Sequence, residues 1–93
     1  MTEKLTLKDN TELENSSVLE LTDSNSLIVY TRNNYDLGYV FSLLNDPEKT
    51  QMIVYTDISG NNTVYRRYQK LKTITDEGNG MITAVLKKVY LEG

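Results

Sequence analysis

The sequence predicts an α+β fold: mostly antiparallel β-sheet, about six to seven short strands, with one short amphipathic helix near residues 36–45. Three observations carry this. The chain has a single alanine (Ala84) and a single proline (Pro47), while Thr, Val, Ile and Tyr are abundant. Alanine favours helix, and β-branched and aromatic side chains suit a pleated, half-buried surface. Short apolar runs also alternate with Asn, Asp, Ser and Gly clusters along most of the chain, and only one segment changes to a helical period.

Leu5 and Leu7 alternate with Lys4, Thr6 and Lys8, which is strand spacing. Asp9-Asn10 supplies turn chemistry that tolerates positive φ, so Thr11 to Glu14 returns as the second arm of a hairpin. Asn15-Ser16-Ser17 is expected to break the run. Val18, Leu19 and Leu21 mark a third strand, ended by Asp23-Ser24-Asn25-Ser26. Leu27 to Thr31 is apolar at both parities, the pattern of a central strand covered on both faces.

Leu37, Val40, Phe41 and Leu44 then fall at i, i+3, i+4 and i+7, one stripe of a helix. Asp36 is placed to cap it, with Tyr35 and Val40 as a hydrophobic staple, and Pro47 is expected to end it. So short a helix containing Gly38 must lie on the sheet to be stable. Gln51 to Thr56 reads as another strand apolar on both faces, and Ile58 to Asn62 as a turn. Across Thr63 to Thr75, Val64 and Tyr68 share a parity that Leu71 does not, which predicts a bulge or break near Gln69. Asp76 to Gly80 is a hairpin loop, and a strand from Met81 to Leu91 closes the fold. Ile28-Val29-Tyr30-Thr31 and Ile53-Val54-Tyr55-Thr56 are identical strings with unrelated flanks. They read as two buried strands rather than an internal repeat.

Ninety-three residues make one domain, 1–93, in which about 64% of the surface can be buried on folding. The longest apolar stretch, Leu27 to Tyr30, is far below a membrane span, and Met1-Thr2-Glu3-Lys4 opens without a signal-peptide core. No membrane association or secretion is expected. Cys, His and Trp are absent, which removes disulfides, thiol nucleophiles, imidazole bases and Cys- or His-ligated metal. No catalytic residues, metal or cofactor are expected, and the chain is read as a non-enzyme.

Two sets of residues stand out as candidate binding surfaces. Tyr65, Arg66, Arg67, Tyr68, Lys70 and Lys72 interleave rings with cations opposite Lys87 and Lys88 on the next strand, the mixture that binds single-stranded nucleic acid. The plainer reading is a sheet with a buried Tyr face and a basic outer face, and the net charge of −3 disfavours nucleic acid. Glu12, Glu14, Glu20 and Asp23 form an acidic set that can oppose a basic protein, or simply face water. Charge is also uneven along the chain: four basic and nine acidic residues through Thr50, six basic and four acidic from Gln51 onward. If these halves occupy opposite ends of the fold, weak salt-sensitive head-to-tail association follows.

The order of parts resembles a group of small phage and prophage proteins commonly encoded near tail genes. The matching strings are Leu5 to Glu14, the helix ending Phe41-Ser42-Leu43-Leu44-Asn45-Asp46, and the closing hairpin around Leu71 to Lys88. The chain departs from that group in carrying Asn10 where Gly is usual, and in lacking the C-terminal helix many members add. The resemblance implies a viral accessory or structural protein without enzymatic activity. Such a protein acts by protein–protein contact or self-association, in the host bacterial cytoplasm or in the virion. Two other roles stay open: an anti-defence inhibitor that turns its acidic face to a host nuclease or nucleic-acid-binding protein, and a single-strand binder.

Overall fold

Turn chemistry sets the strand ends in the computed structural model, which describes residues 3–32 and 35–89. Strands β1 (Lys4–Leu7) and β2 (Glu12–Glu14) form a hairpin whose Asn10 takes a φ of 70°, while the Thr11 N–H donates to Asp9 Oδ1 at 3.1 Å. Strands β3 (Ser16–Leu21) and β4 (Ser26–Arg32) follow, joined by a 3-10 turn at Thr22–Ser24. Helix α1 (Leu37–Leu44) starts at Asp36, whose Oδ1 accepts the Tyr39 N–H at 2.7 Å. Helix α2 (Pro47–Thr50) is a single turn capped by Asp46. Strands β5 (Met52–Thr56), β6 (Asn62–Arg66), β7 (Tyr68–Asp76) and β8 (Met81–Lys88) complete the order.

Among the described residues the strands pair, all antiparallel, into two four-stranded sheets ordered β2-β1-β5-β6 and β3-β4-β8-β7. The sheets share their edge strands. β2 passes into β3 through Asn15 (φ 54°), and β6 passes into β7 through Arg67 (φ 69°). One left-handed residue swings each strand from one sheet to the other, as at the corners of an orthogonal sandwich. Backbone bonds carry the pairing past each corner: Ser16 N–H to Glu3 O at 3.2 Å and Arg32 N–H to Asn15 O at 3.0 Å at the first, Arg67 N–H to Gln51 O at 3.1 Å and Val89 N–H to Arg67 O at 2.7 Å at the second. The result is two four-stranded sheets joined at two corners around one core.

The core is a single apolar cluster drawn from both sheets and α1, with Leu5, Leu27, Val29, Ile53 and Leu86 fully buried beside Val40 and Leu44. α1 lies against β7, and α2 against β7 and β5. At the Asn15 corner the buried Ser16 hydroxyl sits 3.1 Å from Glu14 O and 3.2 Å from Thr31 Oγ1, so neither buried hydroxyl lacks a partner.

The fold class is as read from the sequence, and several details differ. The described residues make eight strands because the stretch expected as one irregular strand over 63–75 divides at Arg67 into β6 and β7; the break at 15–17 is confined to Asn15, so Ser16 already pairs with Thr31. β4 and β5 are not covered on both faces. Leu27, Val29 and Thr31 are buried while Ile28 and Tyr30 are half-buried on the outside, and in β5 Ile53 alone is fully buried. Each sheet turns one face to the core, so the second apolar parity faces outward. On α1, Leu43 takes the buried place expected of Phe41, which is 44% exposed. α1 stops at Leu44, and Pro47 opens α2 instead of ending α1, since its missing N–H costs nothing in a first turn. The Tyr35 ring stacks on Tyr39 at 5.7 Å, while also packing on the core that holds Val40. The parity change expected near Gln69 begins at the Arg67 corner, with further register shifts between Tyr68 and Lys70 and between Leu71 and Thr73. Val64 therefore faces outward and Tyr68 inward. The closing strand is followed to Lys88, and the Tyr90–Leu91 part of that expectation lies outside the described residues.

Candidate functional site

Cross-strand partners share a face, so register and burial together give each sheet an outer surface. On the first sheet Glu12, Glu14, Lys4, Thr6, Val54, Thr56 and Asn62 point outward and line a shallow groove of about 640 Å³. Lys4 Nζ lies 3.0 Å from Glu12 Oε2 within it. On the second sheet the outward row Leu19–Ile28–Val85–Thr73 crosses all four strands, flanked by Leu21 and by the paired Tyr30 and Thr83. Leu19 is 48% exposed and Leu21 39%. Arg32, beside Met81, stands at one end of this face, and Lys70, opposite Lys87, at the other. None of the outward strand residues here is acidic. The first sheet shows water a mixed surface in which the pair Val54–Val64, with Val64 47% exposed, sits among charged and hydroxyl groups; the second shows a longer apolar row with basic ends.

The acidic set does not form one surface. Glu12 and Glu14 lie on the outer face of the first sheet. Glu20 sits at the end of β3, where its Oε2 accepts the Tyr68 hydroxyl at 2.8 Å, and Asp23 lies in the 3-10 turn. Local parity joined Glu12 to Glu14 correctly, but the Asn15 corner carries Glu20 into the other sheet.

The aromatic and basic residues are likewise separated. Tyr68 is 2% exposed and meets Tyr65 edge-on at 6.3 Å inside the wall, with Lys88 Nζ 5.7 Å from the Tyr68 ring centre. Burial, and then the charge of Glu20, raise the Tyr65 hydroxyl above its ordinary pKa. A ring so enclosed offers no face to a base. Arg66 and Arg67 line a cleft at the second corner, Lys70 joins the rim of the apolar face, and Lys72 is exposed at the β7 register shift. The expected opposition of this strand to Lys87 and Lys88 is present, through Lys70↔Lys87 and Tyr68↔Lys88.

Charge does not divide by sequence halves. β1 and β2 pair with β5 and β6 in one sheet, and β3 and β4 with β8 and β7 in the other, so early and late segments interleave throughout. The end-to-end dipole that would drive head-to-tail association has no basis in this topology.

Sequence reading missed the row Leu19–Ile28–Val85 and the meeting of Lys8 and Gln51 with Arg66 and Arg67. The apolar second parity of β4 is the available signal for the first, and periodicity reads it equally as the inner side of a covering layer. Nothing local announces the second, which depends on pairing between residues more than forty positions apart. No family model matches the chain, and neither the curated proteins nor the solved structures contain a match. Among the described residues no helix is long and apolar enough to cross a membrane.

Proposed function

We propose that the protein is a non-catalytic contact module that docks a different protein through the outer face of its second sheet, as a phage or prophage accessory component in tail assembly. The observation that carries this is the outward row Leu19–Ile28–Val85, exposed at Leu19 and half-buried at Ile28 and Val85, whose charged strand neighbours on that face are the cations Arg32, Lys70 and Lys87. Apolar area of this kind is what interface centres are made from. Charge selects the occupant. Two copies joined face to face would oppose Arg32, Lys70 and Lys87 with cations of the same kind, which disfavours a symmetric dimer. An apolar surface ringed by Asp and Glu satisfies both parts. The hydroxyls of Ser17, Thr73 and Thr83 interleaved with the row want hydrogen-bonding partners, which a protein surface supplies and lipid tails do not. The setting near tail assembly draws on the sequence resemblance alone. Inhibition through an acidic face has no support in an acidic set that is divided between surfaces.

The test is incorporation. A Leu19→Glu/Val85→Glu variant that melts with the wild type is expected to be lost from purified particles in which the wild type is present in fixed ratio. A wild type absent from particles and their assembly intermediates, or a variant incorporated equally, overturns the proposal. Binding of the wild type to anionic vesicles in place of a protein overturns it too.

A further inference from the structure

The Arg67 corner has no part in that docking face, and its chemistry is of another kind. Lys8, from the β1–β2 turn, meets Arg66 and Arg67 around a cleft of about 360 Å³ whose walls are completed by Gln51 and Gln69 over an apolar floor of Met52 and Val89. No carboxylate lines it, and none of its three cations is ion-paired with a described acidic residue. Lys8, which donates to Gln51 Oε1, and Gln51 also line the neighbouring hollow with Asp9, Asp46 and Glu48; there Lys49 lies 3.9 Å from Asp9 and 3.8 Å from Asp46. Arg66 and Arg67 stand side by side in the cleft with no carboxylate lining it, and an anion placed there relieves their mutual repulsion, with Lys8 at the cleft's edge toward the acidic hollow.

The backbone adds an independent observation. Four described residues other than glycine have left-handed φ; three are Asn10, Asn15 and Asn25, and the fourth is Arg67. Asn takes this conformation readily because its short side chain bonds locally, whereas a long side chain gains nothing from it. Arg67 is nevertheless held there, its N–H donating to Gln51 O at 3.1 Å and its carbonyl accepting the Val89 N–H at 2.7 Å. The corner therefore fixes the backbone from which the Arg67 side chain reaches the cationic cleft.

We infer that this cleft binds a small phosphorylated ligand carrying a diphosphate ester. The guanidinium groups of Arg66 and Arg67 grip phosphoryl oxygens as planar forks, Lys8 adds a third charge, and the amides of Gln51 and Gln69 bond the body of the ester. Three positive charges match the charge of a diphosphate ester near neutral pH. The cleft volume also falls within the range of about 300–1,000 Å³ typical of ligand sites. No aromatic side chain lines the cleft, and Tyr65 and Tyr68 turn into the wall. An extended single strand therefore finds phosphate contacts here without the stacking that ordinarily holds its bases.

Calorimetric titration with ADP, with inorganic pyrophosphate and with a short oligothymidylate at low ionic strength tests this. ADP and pyrophosphate are expected to bind and to weaken as salt is raised. Arg67→Asn keeps the left-handed corner while removing the charge, so it is expected to melt no lower than wild type and to weaken ADP by about tenfold or more. Arg66→Gln should weaken ADP similarly, and Lys70→Gln, outside the cleft, should leave it unchanged. No heat with either phosphate ligand, affinity unmoved by both arginine substitutions, or oligothymidylate bound more tightly than ADP overturns the inference. Because Leu19 and Val85 lie on another surface, the Leu19→Glu/Val85→Glu variant should bind ADP as wild type does. This separates failure of the cleft from failure of the docking face.

Discussion

The outer faces of the two sheets are built from the same strand chemistry over one shared core, yet they meet solvent in opposite ways. The first pairs Lys4 with Glu12 and surrounds them with Thr6, Glu14, Thr56 and Asn62. The second sets Leu19, Ile28 and Val85 side by side and keeps charge to its ends. Folding alone does not ask for this difference. The first face also carries an outward apolar pair, Val54 and Val64, but sets it among polar and charged groups, so the longer apolar row on the second is not a requirement of the core beneath it. The docking proposed for the second face rests on this difference.

The largest expected effect tests whether the two faces do share one core. Leu5→Ala in β1 and Leu27→Ala in β4 each empty a fully buried site, one under each face. Each should cost about 2–5 kcal/mol in chemical denaturation, with a single cooperative transition. Two separate transitions in either variant would mean that the sheets are independent units and the comparison fails.

How far the sequence exposes this arrangement is clearest in the two identical strings. In Ile28-Val29-Tyr30-Thr31 the valine and threonine face the core, with Val29 fully buried and Thr31 nearly so. In Ile53-Val54-Tyr55-Thr56 it is the isoleucine that is buried, and Val54 lines the outer groove. Four identical residues thus face opposite ways, because which parity turns inward is settled by pairing partners far off in the chain. Local signals served well where structure is local: the Asp9-Asn10 turn, the Asp36 cap and the Asp76–Gly80 loop stand as read. They failed at Asn15 and Arg67, where one residue changes sheet and reverses the inward parity of the strand that follows, so that Ser16 and Tyr68 are buried. The acidic set and the Tyr-Arg set each straddle such a corner, which is why neither survives as a single surface.

A smaller effect separates the faces directly. Leu19→Ser on the second face and Lys4→Met on the first both alter half-exposed positions. Leu19→Ser should change stability by about 1 kcal/mol or less, since it loses only cross-strand contact with Ile28. Lys4→Met should cost about 0.2–1 kcal/mol at low salt and nothing measurable at high salt, because its partner Glu12 is exposed and screened. A salt-dependent loss at Leu19 or a salt-independent one at Lys4 would invert the assignment of the faces.

The smallest effect lies in alkali. The Tyr55 hydroxyl is pushed up to about 12 by burial, then by its hydrogen bond to Glu3 and by the charges of Glu3 and Asp57. A folded-state value above the unfolded one makes its contribution complete below about pH 10, the ordinary tyrosine value, and lost as the pH rises toward 12. Denaturant midpoints should fall through that window, and fall less in Tyr55→Phe. An identical decline in the variant would assign the loss to other groups.

Site-specific photo-crosslinking in the organism that encodes the protein tests the docking face most directly. A benzophenone side chain is placed in turn at Leu19 and Val85 on the second face, and at Val54 and Val64 on the first. The expected result is one adduct of fixed mass from Leu19 and Val85 alone, joined to a different protein at an apolar segment flanked by Asp or Glu. Equal adducts from both faces, adducts from Val54 and Val64 only, or crosslinks to a second copy of this chain would contradict a docking face on the second sheet.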